Sequence, residues 1–270
     1  MALSLGLINF TLFFVGSLLL YHYSNTFRYY FRVCYLIGWM LTMSLVVLPV
    51  VALRGRNVAN MRVLRFIMLP LKYILGIKIS VRGAANLNLE GPYVMVANHQ
   101  SNVDYLGMLQ ILPGRSTLIV TKEIFYMLTV AVACWLSGFI FIDDKKTADT
   151  TSAMAAVAET MARDNLRIWM FPEGTKNYYC PSDMLPFRHD AFHLAVKAQV
   201  PVIPVVMSSY RPFFNKKIKR FTPGEVTIQI LPPMKTEGLV SADVSELTDR
   251  VREAMLSSFH EISEGTGEQT

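Results

Sequence analysis

Cysteine is scarce, with only Cys34, Cys134 and Cys180 in 270 residues. They are odd in number, far apart and without metal-ligand spacing. That argues against a disulfide framework and a zinc site, and points to a reducing compartment for the globular part. Charge is scarce too, at 17% of residues, and Met1 to Tyr21 contains none. Acidic residues are outnumbered, 20 against 26 basic ones, for a net charge of +6. No nucleic-acid motif accompanies that excess, and the aromatics sit in apolar segments. The basic balance therefore points to anionic lipid surfaces or phosphorylated substrates, not to nucleic acid. No G-x-S-x-G elbow occurs, which argues against a serine hydrolase built on that turn. There is no internal repeat.

Apolar residues are plentiful, at 52%, and much of the excess precedes residue 54. Met1 to Tyr21 is long and apolar enough to span a bilayer, which takes about 20 residues. It has no basic leader and no small-residue cleavage site, so a cleaved signal peptide is disfavoured. Tyr21, Tyr23, Tyr29 and Tyr30 have the character of an interfacial aromatic belt. A second uncharged run goes from Val33 to Leu53, flanked by Arg28 and Arg32 before it and by Arg54, Arg56, Arg62 and Arg65 after it. Residues 1–65 are thus expected to form two membrane-embedded helices. The larger basic cluster places the globular part on the cytosolic side, although a simple hairpin would leave Arg28 and Arg32 across the membrane. Phe66 to Leu75 carries Pro70 and Lys72 and is too interrupted to span; it is expected in the interface or packed on the domain.

Residues 66–263 form the expected globular domain, with a disordered tail over 264–270. Strands are predicted at Ile77–Val81, Tyr93–Ala97, Thr117–Thr121, Phe139–Ile142, Leu166–Phe171, Val202–Met207 and Val226–Leu231. Helices are predicted from Val103, over Glu123–Leu136, Thr147–Arg163, Phe187–Lys197 and Val244–Ile262. This alternation predicts an α/β fold: a largely parallel mixed sheet flanked by helices and preceded by N-terminal membrane helices. Ligands of such sheets bind beyond the carboxyl ends of the strands.

Two strand ends carry polar clusters. Val96-Ala97 runs into Asn98-His99-Gln100-Ser101-Asn102-Val103-Asp104, with Ser101 or Asn102 expected to cap the next helix. A turn there lets Asp104 reach His99, and a carboxylate-held imidazole is a general base. Taken alone, the pair is more simply read as a capping Asp and a surface His. The strand ending at Phe171 runs into Pro172-Glu173-Gly174-Thr175-Lys176. Pro172 stops the ladder, Gly174 permits positive φ, and the turn's N–H groups with Lys176 suit a phosphate. In a parallel sheet the two turns share one edge. Lys122, at another strand end, is a second candidate phosphate ligand or a surface lysine. Lys216, Lys217, Lys219 and Arg220 form a basic run that suits phosphates, anionic headgroups, or plain solvent. Pro201 and Pro204 suggest an edge strand.

These blocks together resemble the 1-acylglycerol-3-phosphate acyltransferases, the lysophosphatidic acid acyltransferases, and their animal alpha and beta types most closely. Asn98 to Asp104 matches the family's N-H-x-S-x-x-D block. Gly138 to Asp143, Phe171 to Thr175 and Val200 to Val205 match the other three, in order. Leu185-Pro186-Phe187 and Ala191 to Val196 extend the match. The resemblance implies transfer of an acyl group from acyl-CoA to the sn-2 hydroxyl of lysophosphatidic acid, giving phosphatidic acid at the endoplasmic reticulum membrane. It implies His99 as base, Asp104 as its orienter, and Glu173, Gly174, Thr175, Lys176 and Lys122 about the acceptor. No metal or prosthetic group is implied; acyl-CoA is a co-substrate. The chain departs from the pattern at Lys176, usually Arg, at Asp190, usually Gly, and in the loops at Asp144–Lys146 and Tyr178–Ser182. Two other readings stand beside this one: the same fold with glycerol-3-phosphate or a lysophospholipid as acceptor, and a non-catalytic lipid-binding paralogue.

Overall fold

The computed structural model describes residues 2–142, 147–178 and 183–264. Two helices lead, α1 (Ala2–Tyr23) and α2 (Asn25–Leu53), joined at Ser24, whose hydroxyl accepts from the Phe27 N–H at 3.2 Å. Then follow α3 (Met61–Met68), α4 (Leu71–Ile74), β1 (Ile77–Arg82), β2 (Tyr93–Ala97), α5 (Asp104–Ile111), β3 (Ser116–Thr121), α6 (Leu128–Leu136), β4 (Ile140–Ile142) and α7 (Thr147–Arg163). The second half holds β5 (Arg167–Met170), α8 (Asp190–Ala198), β6 (Val202–Met207), the short hairpin strands β7 (Phe214–Asn215) and β8 (Arg220–Phe221), β9 (Gly224–Ile230) and α9 (Val244–Glu264).

The main sheet has seven strands in the order β1-β9-β6-β2-β5-β3-β4. Every pairing is parallel except β6 with β9. All five residues of β2 are buried, the continuous apolar run expected of a strand covered on both faces. Its alternation divides the core. Tyr93, Met95 and Ala97 join the cluster of α2, α3, α5 and α6. Val94 and Val96 join that of α7, α8 and α9. The α/β expectation holds.

Several boundaries differ from expectation for identifiable reasons. α8 begins at Asp190, not Phe187, because the Arg188 N–H reaches back to the Pro172 carbonyl at 2.7 Å. The predicted Glu123–Leu136 helix breaks at Met127, leaving Phe125 and Tyr126 outside. The strand with Pro204 is not at an edge but lies between β2 and β9. Proline is tolerated there because the Pro204 carbonyl faces β9, accepting from the Leu231 N–H at 2.9 Å. Its nitrogen faces the same side, at the end of the β9 ladder, which begins at Val205, so only the single terminal bond that an N–H there would donate is missing.

The N-terminal helices differ from one another. Both are long and apolar enough to cross a membrane, and no side chain from Leu5 to Tyr23 is buried. α2 is about 44 Å long by its rise per residue, and Tyr29, Arg32, Leu36, Ser44, Val47 and Val51 bury one face along that length. Its opposite face, including Tyr30, Phe31, Leu45, Val46 and Leu53, is exposed. Arg32 donates to the Leu75 carbonyl, Trp39 to Ile67 at 3.1 Å, and Arg56 to Phe139 at 3.5 Å. Both ends of α2 therefore lie against the one domain. Arg32 near its start and Arg56 just past its end each hold a backbone carbonyl of that domain. Of the two expectations for Phe66 to Leu75, packing on the domain is seen: Leu71 and Leu75 are buried, while Phe66, Tyr73 and Ile74 are exposed. The tail beyond 264, the loops at 143–146 and 179–182, and with them Cys180, lie outside the described residues.

Candidate active site

β2 lies between β5 and β6 and runs parallel to both. The His99 turn and the Glu173 turn thus leave the same sheet edge side by side, as the parallel arrangement required. The His99 loop is clamped from both flanks. Asn98 grips Met207 on β6, its amide donating to the carbonyl at 2.9 Å and its oxygen accepting the N–H at 2.8 Å. Gln100 donates to the Ser208 carbonyl at 2.9 Å. From the β5 side, the Asn177 N–H donates to the His99 carbonyl at 2.7 Å.

His99 Nδ1 and Asp104 Oδ2 lie 2.6 Å apart. The same oxygen accepts from the Gln100 N–H at 2.6 Å and the Ser101 N–H at 2.9 Å. Asp104 is fully buried, and a buried carboxylate is tolerated only when donors surround it. With Oδ2 accepting throughout, Nδ1 is the donating nitrogen, and in the neutral ring that tautomer leaves the lone pair on Nε2. The ring is stacked on Phe171 at 4.0 Å, with Tyr105 edge-on at 6.3 Å. Burial, with the Asp104 charge beside it, raises the Tyr105 hydroxyl far above its ordinary range, so it stays protonated. The expected cap differs: α5 starts at Asp104 without a side-chain cap bond. Ser101 instead accepts from the Val103 N–H at 3.0 Å as a buried turn residue.

His99 opens on a cavity of about 520 Å³. Its apolar walls come from α2, α3, α5 and α6, through Leu36, Met40, Met61, Leu106 and Val130 among others. Its polar wall holds Asn102, Gly174, Thr175, Lys176, Arg188 and Asp190. Lys176 donates to the Asn102 side chain at 2.5 Å. Gly174 has φ +69, and a Cβ there would come within 2.7 Å of the Arg188 side chain. The turn therefore needs glycine both for its backbone and to let the guanidinium pass. Arg188 pairs with Asp190 at 2.9 Å.

Glu173 is placed differently from the expectation that it binds phosphate. It is buried and absent from the cavity wall; Oε1 accepts the His99 N–H at 2.7 Å and Oε2 the Leu185 N–H at 2.9 Å. An anion that close to a phosphate would repel it, whereas here it ties the two strand-end turns together. Burial raises its carboxyl to about 7, against the opposing pull of its two N–H donors. Lys122 opens a short turn after β3; its side chain lies outside the described residues. Arg188 is the cavity cation that sequence reasoning missed. Its partial signal was the extended Leu185-Pro186-Phe187 segment just before it, which names no destination for a side chain.

A carboxylate-held histidine at a parallel-sheet edge, with cations and an apolar cavity beside it, has the parts for moving an acyl group onto a phosphate-bearing hydroxyl. The Acyltransferase family model matches residues 78–208, which hold both turns and all of these polar groups. The chain is 49% identical to human 1-acyl-sn-glycerol-3-phosphate acyltransferase alpha, over 89% of this chain and 84% of that one. Identity to the human beta enzyme is 39%, over 91% and 88%. The crystal structure of the 1-acyl-sn-glycerophosphate acyltransferase PlsC from Thermotoga maritima superposes with TM-score 0.60 at 24% identity, covering 92% of this chain and 97% of that one. It shares the fold. The protein is thus an acyltransferase by class. Within that class it belongs to the 1-acyl-sn-glycerol-3-phosphate acyltransferase family.

Proposed function

We propose that this protein transfers a fatty acyl group from acyl-CoA to the sn-2 hydroxyl of 1-acyl-glycerol-3-phosphate, giving phosphatidic acid. The observation that carries the reading is the 2.6 Å His99–Asp104 contact on the wall of an apolar cavity. His99 Nε2 takes the hydroxyl proton as the oxygen attacks the thioester carbonyl. Asp104 holds the tautomer and stabilises the imidazolium. The tetrahedral adduct then collapses, the C–S bond breaks, and the imidazolium returns its proton to the departing sulfur. No enzyme nucleophile is needed. Thr175, Lys176 and Arg188 receive the acceptor's phosphate, and Lys122 is a further candidate at the neighbouring strand end. Glu173 acts through His99 as a positioning residue.

The lipid substrate and product suit an enzyme seated on a bilayer, since each buried methylene is worth about 0.8 kcal/mol. The apolar α1 and the outward face of α2 support that seat. The endoplasmic reticulum membrane, with the site on its cytosolic face, is the location we assign. One observation favours a second reading: the Asp190 carboxylate offsets Arg188, which suits an acceptor of weaker negative charge, such as a lysophospholipid.

The test is acyl transfer by detergent-purified protein from oleoyl-CoA to lysophosphatidic acid, glycerol-3-phosphate and lysophosphatidylcholine in parallel. Phosphatidic acid should form, and His99→Ala should lower kcat by about 10²–10⁴-fold. Turnover of another acceptor alone would replace the substrate and keep the mechanism. An equally active His99→Ala protein would remove His99 as base.

A further inference from the structure

Between β6 and β9 the chain carries Arg211, Lys216, Lys217, Lys219 and Arg220 within ten residues, with no carboxylate among them. Like charges repel, so such a cluster persists in a folded surface only where the backbone holds it or an anion joins it. The backbone does hold it. β7 and β8 pair as a hairpin, and its base is anchored by Phe213 and Phe221, both buried. The Asn215 side chain accepts from the N–H groups of Lys217 and Ile218 at 2.9 and 3.2 Å, closing the tip. Lys216, Lys217 and Arg220 are left exposed. Among the described residues no carboxylate pairs with any of the five cations.

The hairpin also has a defined position. Lys216 lies 4.4 Å over the Tyr178 ring, and Tyr178 lines the catalytic cavity beside Thr175 and Lys176. The cations therefore begin at the cavity's polar rim. A thioester donor with its carbonyl at His99 and its chain among the apolar walls brings its carrier to these cations when it leaves by this polar side.

We propose that the 211–220 hairpin is the docking site for the phosphates of the donor's nucleotide carrier, the 3′-phosphorylated ADP portion of coenzyme A. This rests on acyl-CoA being the donor. Lysine reads phosphate by charge, and several flexible ammonium groups suit a ligand with several separated phosphates.

The experiment compares wild type with the double variant Lys216→Gln/Lys217→Gln, using one acyl chain on two carriers. Against oleoyl-CoA the variant should show a KM raised about 10-fold with kcat retained. Against the oleoyl thioester of pantetheine, which has no phosphate, KM should not change. Lys216→Arg/Lys217→Arg should restore the wild-type KM for oleoyl-CoA. Calorimetric binding of 3′,5′-ADP should be weakened about 10-fold in the Gln variant alone. An equal KM rise with both carriers, or none with oleoyl-CoA, would overturn the proposal. So would loss of binding to phosphatidylserine vesicles with KM in detergent unchanged, which would make the hairpin a membrane contact. If wild type makes no product from oleoyl-CoA, the donor reading fails; 3′,5′-ADP binding to wild type and not to the Gln variant would still sustain the site.

Discussion

Asp104 is asked to do two things with one oxygen. It holds the His99 ring at 2.6 Å and folds the turn by accepting two backbone N–H groups. Asp104→Asn separates these jobs. The amide oxygen can still accept a backbone N–H, but its NH₂ group, turned toward the imidazole, favours the tautomer whose Nε2 is already protonated. We expect kcat to fall by about 10²–10⁴-fold while the acceptor's KM changes little. Steady-state kinetics of the variant check this, and an unchanged kcat would leave Asp104 with the turn alone. At the polar wall the residues predict binding, not chemistry. Arg188→Gln should raise the KM for lysophosphatidic acid about 10-fold at retained kcat, because a charge-assisted phosphate contact is lost. Asp190→Gly should lower that KM by releasing the guanidinium from its 2.9 Å partner. Measuring both variants at low and high salt tests the assignment. If Arg188→Gln lowers kcat alone, the guanidinium is not a ground-state phosphate ligand.

At the scale of elements, the turn after β5 serves the turn after β2 through Glu173. Its carboxyl, ordinarily near 4.5, titrates near 7 here, chiefly because burial disfavours the charge. Between those two values the native state keeps a proton that the unfolded chain releases. Stability is therefore fullest below the window and falls as pH rises through it, by about 3 kcal/mol at most. Thermal melts in detergent from pH 4.5 to 7.5 should show Tm declining in wild type and a flatter profile in Glu173→Gln. Equal slopes would assign the titration to another group. These two turns were legible in the sequence because each is an abrupt change from an apolar strand to polar turn residues. The sheet's parallel sense made their adjacency legible too. The fate of Glu173 was not, since its carboxylate is claimed by the N–H groups of His99 and Leu185, remote in sequence. Nor was the β7–β8 hairpin, whose strands are two residues each and too short for alternation to register. The central place of β6 was hidden for a related reason: Pro204 reads as an edge signal until its carbonyl is seen to face β9 ahead of the ladder.

At the scale of the whole molecule, hydropathy gives α1 and α2 the same reading and packing separates them. α1 leaves most of its apolar surface exposed and touches α2 near its end, where Arg28 donates to the Tyr21 carbonyl at 2.9 Å. α2 leaves one apolar face exposed and gives the domain the other, and Leu36, Met40 and Ser44 on that side are part of the cavity wall. Ser44 and Thr129 on α6 have hydroxyls 3.0 Å apart, a polar contact that fixes the two helices inside an apolar layer. By packing, α2 belongs to the domain that holds the cavity, and α1 is the segment that suits the membrane seat proposed above. Two truncations distinguish these roles. A chain beginning at Ser24 should keep the Tm of the full protein in detergent and its transfer rate on micellar substrate, but should no longer float with vesicles in a density gradient. A chain beginning at Arg54 loses the buried face of α2, uncovers the apolar residues of α3 and α6, and opens the cavity to water. Burying a large apolar side chain contributes about 1.5–3 kcal/mol, so losing several at once exceeds the whole stability of a typical domain. That chain should aggregate or lack a cooperative melt. A folded, active protein starting at Arg54 would return α2 to the role of a dispensable anchor and detach the cavity's wall from its chemistry.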